Sequence, residues 1–237
     1  TLQGYQGAEV TSFYGRLIER VEASPGVTSV SLVSALPGGG SDGMGFQIEG
    51  FESPERLPTA FLVVGAKYFE TMGTPILVGR DFAVADDERA EPVLIVNESA
   101  ATELSTLTGR DVLGMGLSFQ GPDGPFQRIV GISVDAKTSS VRADPIPMVY
   151  TPQAQTPGWS RLTLLVRSSS TELASTLGAV RLAFRETDPN VPAIGVMTLA
   201  AYLDATLGNE RLSAALLGFS ALLAVVLAGV GLYGVLS

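Results

Sequence analysis

Cysteine and histidine are both missing from this 237-residue chain. Without thiols there can be no disulfides, thiolate metal sites or cysteine nucleophiles. Without imidazole there is no Ser-His-Asp or Cys-His arrangement and no histidine-ligated zinc. Lysine is scarce: Lys67 and Lys137 stand beside 13 arginines, and 24 acidic residues bring the net charge to −9. That balance excludes a nucleic-acid partner, which needs a basic footprint on phosphates. It also argues against docking on anionic lipid headgroups. No Gly-Lys dipeptide occurs, so Gly38-Gly39-Gly40 is a flexible turn and not a Walker loop. The stretch Gly109–Gly116 likewise opens no helix of the dinucleotide-binding kind. No cofactor is implied.

Charge is also absent from one whole segment. The last 26 residues, Leu212–Ser237, carry none. As a helix this run reaches about 39 Å, enough to cross the hydrocarbon core of a bilayer with some tilt. A core helix of a large soluble protein rarely runs so long without a charged residue. The expectation is therefore an extramembrane domain ending in a membrane helix, with the lipid bilayer as its partner. Ser220, Ala224 and Ala228 recur every fourth residue, and Ala214 with Gly218 repeats the spacing. Such a stripe lets a second helix approach closely, which favours a bundle over a solitary anchor. Arg211 is the only basic residue near the run, so local charge does not fix the orientation.

The rest of the chain reads as a mixture of helices and short strands. Thr1 is not Met, and the chain reads as opening inside a longer protein. Val10, Phe13, Tyr14, Leu17, Ile18 and Val21 follow helical spacing until Pro25-Gly26 stops them. Val27–Val33 alternates as a strand, and the turn-rich Leu36–Gly45 predicts a loop at a subdomain boundary. Strands are expected at Phe46–Phe51, Thr59–Val64, Pro75–Val78, Val93–Asn97, Gly116–Gln120, Gln127–Val134 and Met148–Thr151, with short helices at Lys67–Met72 and Glu98–Thr106. A further strand, Arg161–Arg167, leads to a helix at Thr171–Thr187 whose apolar face carries Leu173, Leu177, Val180 and Phe184. Asp188-Pro189 ends it, Val191–Met197 is strand-like, and a helix over Thr198–Leu207 leads towards the apolar run. The helix–strand unit near the start matches the strand–helix unit near the end. A split α/β domain with a β-rich insertion is the simplest α+β arrangement, because each half needs the other to cover its sheet.

Catalytic equipment is not evident. Asp81, Asp86, Asp87, Glu88 and Glu91 form an acidic stretch, but their order does not match a calcium loop, and a solvated acidic loop accounts for them. Asn97-Glu98-Ser99 matches a glycosylation sequon, a triplet that also occurs by chance. Pro25-Gly26, Gly73, Gly79 and Gly131 read as scaffold positions, with a bulge or close packing expected at Gly131 and Arg80 placed near the acidic loop.

Several segments resemble the periplasmic core domain of MacB-like ABC transporter permeases, at the edge of the FtsX-like permease domain. They are residues 25–40 (PGVTSVSLVSALPGGG), 46–51 (FQIEGF), 68–82 (YFETMGTPILVGRDF), 93–101 (VLIVNESAA), 126–137 (FQRIVGISVDAK), 145–152 (PIPMVYTP) and 231–237 (GLYGVLS), in family order. The match looks closest to acidobacterial-type permeases without an ATPase domain of their own. The resemblance implies a porter-like α/β subdomain in two parts, 1–44 and 156–208, a β-rich insertion at 45–155, and a transmembrane helix at 209–237. It implies an inner-membrane protein with residues 1–208 on the periplasmic side. It further implies a cytoplasmic ABC ATPase as partner, with a permease dimer and a periplasmic adaptor, and coupling of ATP hydrolysis to export or efflux outside the membrane. The domain itself would not be an enzyme. The competing classes are a membrane-tethered, carboxylate-dependent hydrolase and a static sensor or adhesion domain.

Overall fold

The computed structural model describes residues 8–36, 43–51, 57–121, 123–136, 145–156, 158–159, 161–169, 173–191, 193–205 and 220. The chain divides into two compact units, Thr1–Val196 and Met197–Ser237. The first unit opens with α1 (Ala8–Glu22), in which Val10, Phe13, Tyr14, Leu17 and Val21 form one buried stripe. Gly26, at φ 81°, turns the chain directly into β1 (Val27–Val33). Far along the chain, β9 (Thr163–Ser168) pairs antiparallel with β1, setting Val30 opposite Val166 and Leu32 opposite Leu164. The following helix, α4 (Leu173–Thr187), buries Val180 and Ala183 in the same cluster as α1. Phe13 meets Phe184 at 6.5 Å, and the Tyr14 hydroxyl donates to the Leu162 carbonyl at 3.2 Å. The two ends of this unit thus build one α/β layer, as the matching helix–strand pieces predict.

Between them runs a β-rich stretch. Its strands are β2 (Gly43–Ile48), β3 (Leu57–Val64), β4 (Ile76–Gly79), β5 (Val93–Asn97), β6 (Gly116–Ser118), β7 (Gln127–Ser133) and β8 (Met148–Pro152). Six of them close on themselves in the order β2-β6-β7-β5-β8-β3 and back to β2, while β4 pairs with β7 beside the ring. Closure leaves the six without a free edge. Phe46, Ile48, Leu94, Val96, Leu117, Ile129 and Val149 gather from five ring strands into one cluster, against which α3 (Glu98–Thr108) packs Ala100 and Leu104. The opposite faces of β3, β5 and β8 carry Leu62, Val64, Ile95, Met148 and Tyr150, which meet α2 (Tyr68–Met72) and also Val33 and Leu165 of the α/β layer.

Gly131 is a bulge and a close approach at once. Leu94 lies opposite Ile129 and Ile95 opposite Gly131, so Val130 is the extra residue. The face of β7 therefore switches, and Ile129 and Ile132 join one cluster while Val130 joins the other. Gly79 lies opposite Gly131 at φ 79°, and a Cβ at Gly131 would overlap the Arg80 carbonyl oxygen.

Three expectations change. Residues 43–45 are strand and not loop, because Gly43, Met44 and Gly45 pair with Ala60, Thr59 and Pro58; residues 37–42 lie outside the described residues. The strand expected at Val191–Met197 is absent among its described residues. Val191 and Val196 pack on the α1–α4 cluster, but Gly195 at φ 70° reverses the alternation and leaves Ile194 exposed. No described helix is long and apolar enough to cross a membrane, and apart from Ser220 the run 212–237 lies outside the described residues. In the second unit, residues 199–205 are helical. Thr198 opens this helix, its hydroxyl accepting from the Ala201 amide at 3.1 Å and its carbonyl from Tyr202 at 3.0 Å.

Replacing Gly131 with Ala should force β4 and β7 apart and destabilise the domain by about 1–3 kcal/mol, read as a lowered urea midpoint at unchanged m-value.

Candidate functional site

Segments 68–82 and 93–101 of the sequence signature supply α2, β4, β5 and the start of α3. Beyond Gly79 the chain leaves β4, and Arg80 reaches into the acidic stretch. Its two terminal nitrogens grip Asp86 at 2.7 and 2.8 Å, and the Ala83 amide adds a third bond to the same carboxylate at 2.7 Å. Asp86 is buried, and the Arg80 guanidinium holds its carboxyl below the usual range against the opposing effect of burial. Three of the neighbouring acids, Asp81, Asp87 and Glu91, are similarly engaged. Asp81 accepts from Phe82 N–H, and Asp87 accepts from Arg89 and Ala90 N–H. Burial raises the Asp81 carboxyl, with Glu70 adding to the rise. Glu91 pairs with Arg128, which also binds Glu49 on the ring. Gln155 completes the turn: its amide donates to the Asp87 and Glu91 carbonyls at 3.1 Å each and accepts from Val93 N–H at 2.9 Å. The acidic stretch is thus a braced surface turn, with more internal bonding than a merely solvated loop would have.

At the end of β5, Asn97 is buried and fully bonded. Its Oδ1 accepts from Ala100 N–H at 3.0 Å and Met148 N–H at 2.9 Å, while Nδ2 donates to the Ile146 carbonyl at 2.9 Å. One side chain therefore caps α3 and fixes the start of β8. Asp135, after β7, accepts from the Ser99 amide and hydroxyl at 3.1 and 2.7 Å, adding a carboxylate at the positive end of the same helix. The sequon reading fails on this geometry, since the Asn97 amide is inside the fold with both ends engaged.

On α2, Tyr68, Phe69 and Thr71 are buried. Desolvation pushes the Tyr68 hydroxyl up to about 12, so it stays neutral at any physiological pH. Among the described residues no group of three or more acidic side chains is gathered as metal ligands would be. The chemistry of this region is hydrogen bonding that fixes backbone.

Of the small residues proposed for helix packing, Ala214, Gly218, Ala224 and Ala228 lie outside the described residues, while Ser220 is helical and exposed. Arg80 stands where the sequence places it, beside the acidic stretch. Asn97, Gln155, Thr71 and Arg167 went unrecognised as structural ties. Only Asn97 had a local signal, an Asn directly between an apolar strand and a helix.

The sequence profile of the MacB-like periplasmic core domain matches residues 1–183. No curated protein sequence matches the chain. Among the solved structures that share its fold are two transporter domains. The periplasmic region of MacB from Actinobacillus actinomycetemcomitans superposes with a TM-score of 0.51 at 13% identity, covering 72% of each chain. The extracellular domain of the noncanonic ABC-type transporter YknZ from Gram-positive bacteria gives 0.51 at 14% identity, covering 75% of this chain and 84% of that one.

Asn97→Ala should orphan two buried amides and one carbonyl and cost at least about 2 kcal/mol of stability in denaturant titrations. Asn97→Asp should rescue only in part, because the donor to Ile146 is lost.

Asp86→Asn should cost about 1.5–3 kcal/mol near neutral pH, the range for hydrogen bonds to charged groups. Since the folded carboxyl titrates below its unfolded value of about 3.9, the stabilisation is complete above that value and fades as pH falls through the folded one. The stability gap between parent and variant should be flat from about pH 5 to 8 and close below about pH 4.

Proposed function

The chain belongs to the MacB-like periplasmic core domain family, and on that ground we propose that it is the extracytoplasmic part of an ABC-type permease. In this reading it couples ATP hydrolysis by a separate cytoplasmic ATPase to movement of a substrate or partner outside the membrane, in the manner of export or efflux. The observation that carries it is the family match over residues 1–183, followed in the same chain by the charge-free run Leu212–Ser237. The run serves as a membrane helix, its small-residue stripe (Ala214, Gly218, Ser220, Ala224, Ala228) packs against neighbouring spans, and residues 1–208 face the periplasm. Residues 1–44 and 156–208 act as the porter-like part and 45–155 as the insertion. The helix opened by Thr198 serves as a lever, because a helix without Pro resists bending and passes on displacement. A permease dimer and a periplasmic adaptor complete the assembly.

The domain is read as non-catalytic. Asp81, Asp86, Asp87 and Glu91 are bound to backbone amides or guanidinium groups, an arrangement suited to holding shape. A carboxylate hydrolase would need two of them free to exchange protons with substrate.

Two measurements test the reading, one in cells that express the full-length protein and one on the purified protein. Cysteines introduced as Glu103→Cys and Ser169→Cys, both exposed, should react with an impermeant thiol reagent before lysis. The full-length protein in nanodiscs should raise the ATP turnover of its co-expressed cytoplasmic ATPase several-fold. Labelling only after lysis would overturn the orientation, and unchanged turnover would favour a static sensor or adhesion domain.

A further inference from the structure

The α/β layer and the strand ring share little backbone pairing. Between β1 and β3 a single registered pair, Val33 with Val64, joins them, helped by Ser34 N–H to the Val63 carbonyl and Gly65 N–H to the Leu32 carbonyl, each at 2.9 Å. Among the described residues Val33 and Leu165 also join the ring's apolar cluster, and α2 supplies a further link. A five-residue helix has almost no stability of its own, since nucleation costs more than so few bonds return. It is entered through Lys67 at φ 61°, the one described non-glycine residue with positive φ, and no side chain caps it. Such a backbone persists where its surroundings over-determine it.

The surroundings come from both bodies. Towards the ring, Tyr68 and Phe69 set their rings 5.7 and 5.0 Å from Tyr150 of β8. Towards the layer, α2 shares the apolar cluster with Val33 and Leu165 and adds polar contacts. The Thr71 hydroxyl shares a 2.6 Å bond with Ser29 of β1, in the buried interior. Arg167 of β9 donates through Nε to the Thr71 carbonyl at 2.8 Å, satisfying a helix-end acceptor. Lys67 pairs with Glu22 at the end of α1, at 2.7 Å. Gly73, at φ 70°, makes room for this: a Cβ there would stand 2.7 Å from Arg167 Nη2.

We propose that α2 is a latch that locks the ring to the α/β layer, so that both move as one body, and that removing its polar contacts lets them turn independently. The proposal rests on the transmission reading above, because a lever acting on the layer moves the ring only through a stiff joint. It adds a named joint: α2 meets the ring through aromatic packing, while on the layer side directional hydrogen bonds that can be opened singly supplement the apolar contact.

The test measures the joint without measuring transport, so its failure and that of the transporter reading are separable. Spin labels go on Arg181→Cys of α4 and Glu103→Cys of α3, both exposed, in a chain that has no native cysteine. Inter-spin distances are recorded by pulsed electron resonance on the full chain in detergent micelles. The parent should give one narrow distribution, and Thr71→Val with Arg167→Met should broaden it roughly twofold, as a hinge between two intact bodies would. An unchanged width in a double variant with parental near-ultraviolet circular dichroism would overturn the latch. If the double variant does not fold, Ser29→Ala, which removes one hydroxyl, decides: a smaller broadening supports the latch and an unchanged width overturns it.

Discussion

Pairing of β1 with β9 is the condition on which the first unit depends. Val30 and Leu32 of β1 and Leu164 and Val166 of β9 together form the apolar surface that α1 and α4 cover. The partners are remote in the chain: the Tyr14 hydroxyl finds its acceptor 148 residues away, at Leu162. Closing so long a loop costs conformational entropy that grows slowly with length, so much of the cost is avoided if the intervening segment is already compact. The ring does this. It brings β3 and β8 side by side in parallel, Val64 against Pro152, and Val64 pairs in turn with Val33 at the end of β1. Closing the ring is therefore also what shortens the distance that the α/β layer must bridge.

Within the ring, precision comes from a few places where ordinary strand geometry is broken. The bulge at Val130 lets β7 serve two clusters at once, facing α3 with Ile129 and Ile132 and the α2 side with Val130. Gly79 and Gly131 then allow β4 to lie against β7 closely enough for Arg80 N–H to reach the Val130 carbonyl at 2.9 Å. That register is what aims Arg80 at Asp86. The braced acidic turn is a downstream product of a missing Cβ on the neighbouring strand.

The sequence made the elements legible because their apolar periods are clean. The stripe Val10–Val21 and the runs Val27–Val33 and Val93–Asn97 give the same elements in the structure, and the duplicated helix–strand pieces foretell the layer. Ring closure is not written in any local pattern, since β2 meets β3 through Gly43, Met44 and Gly45, which read as loop. The apparent strand near Val191 shows the converse error: its valines are apolar because they cover a helix pair. The site was legible only in part. Gly131 and Arg80 announce themselves by type and position, whereas Thr71 and Arg167 are ordinary residues whose partners lie 42 and 96 positions away, at Ser29 and back at Thr71.

The distribution of polar side chains also bears on what the domain does. Several polar side chains are tied to main-chain atoms: Asn97 to two amides and a carbonyl, Gln155 to three backbone groups, Arg167 to a helix end. Bonds of this kind add only about 0.5–1.5 kcal/mol each to stability, but leaving one unmade inside the fold costs more, so they select one backbone arrangement over its neighbours. Apolar packing alone would tolerate small slips between elements with little change in energy. A domain that passes displacement from one part to another loses stroke to every such slip. Directional bonds at the places where separate elements meet are what stiffness requires, and in this unit they stand at α2, at the start of α3 and at the turn after β4.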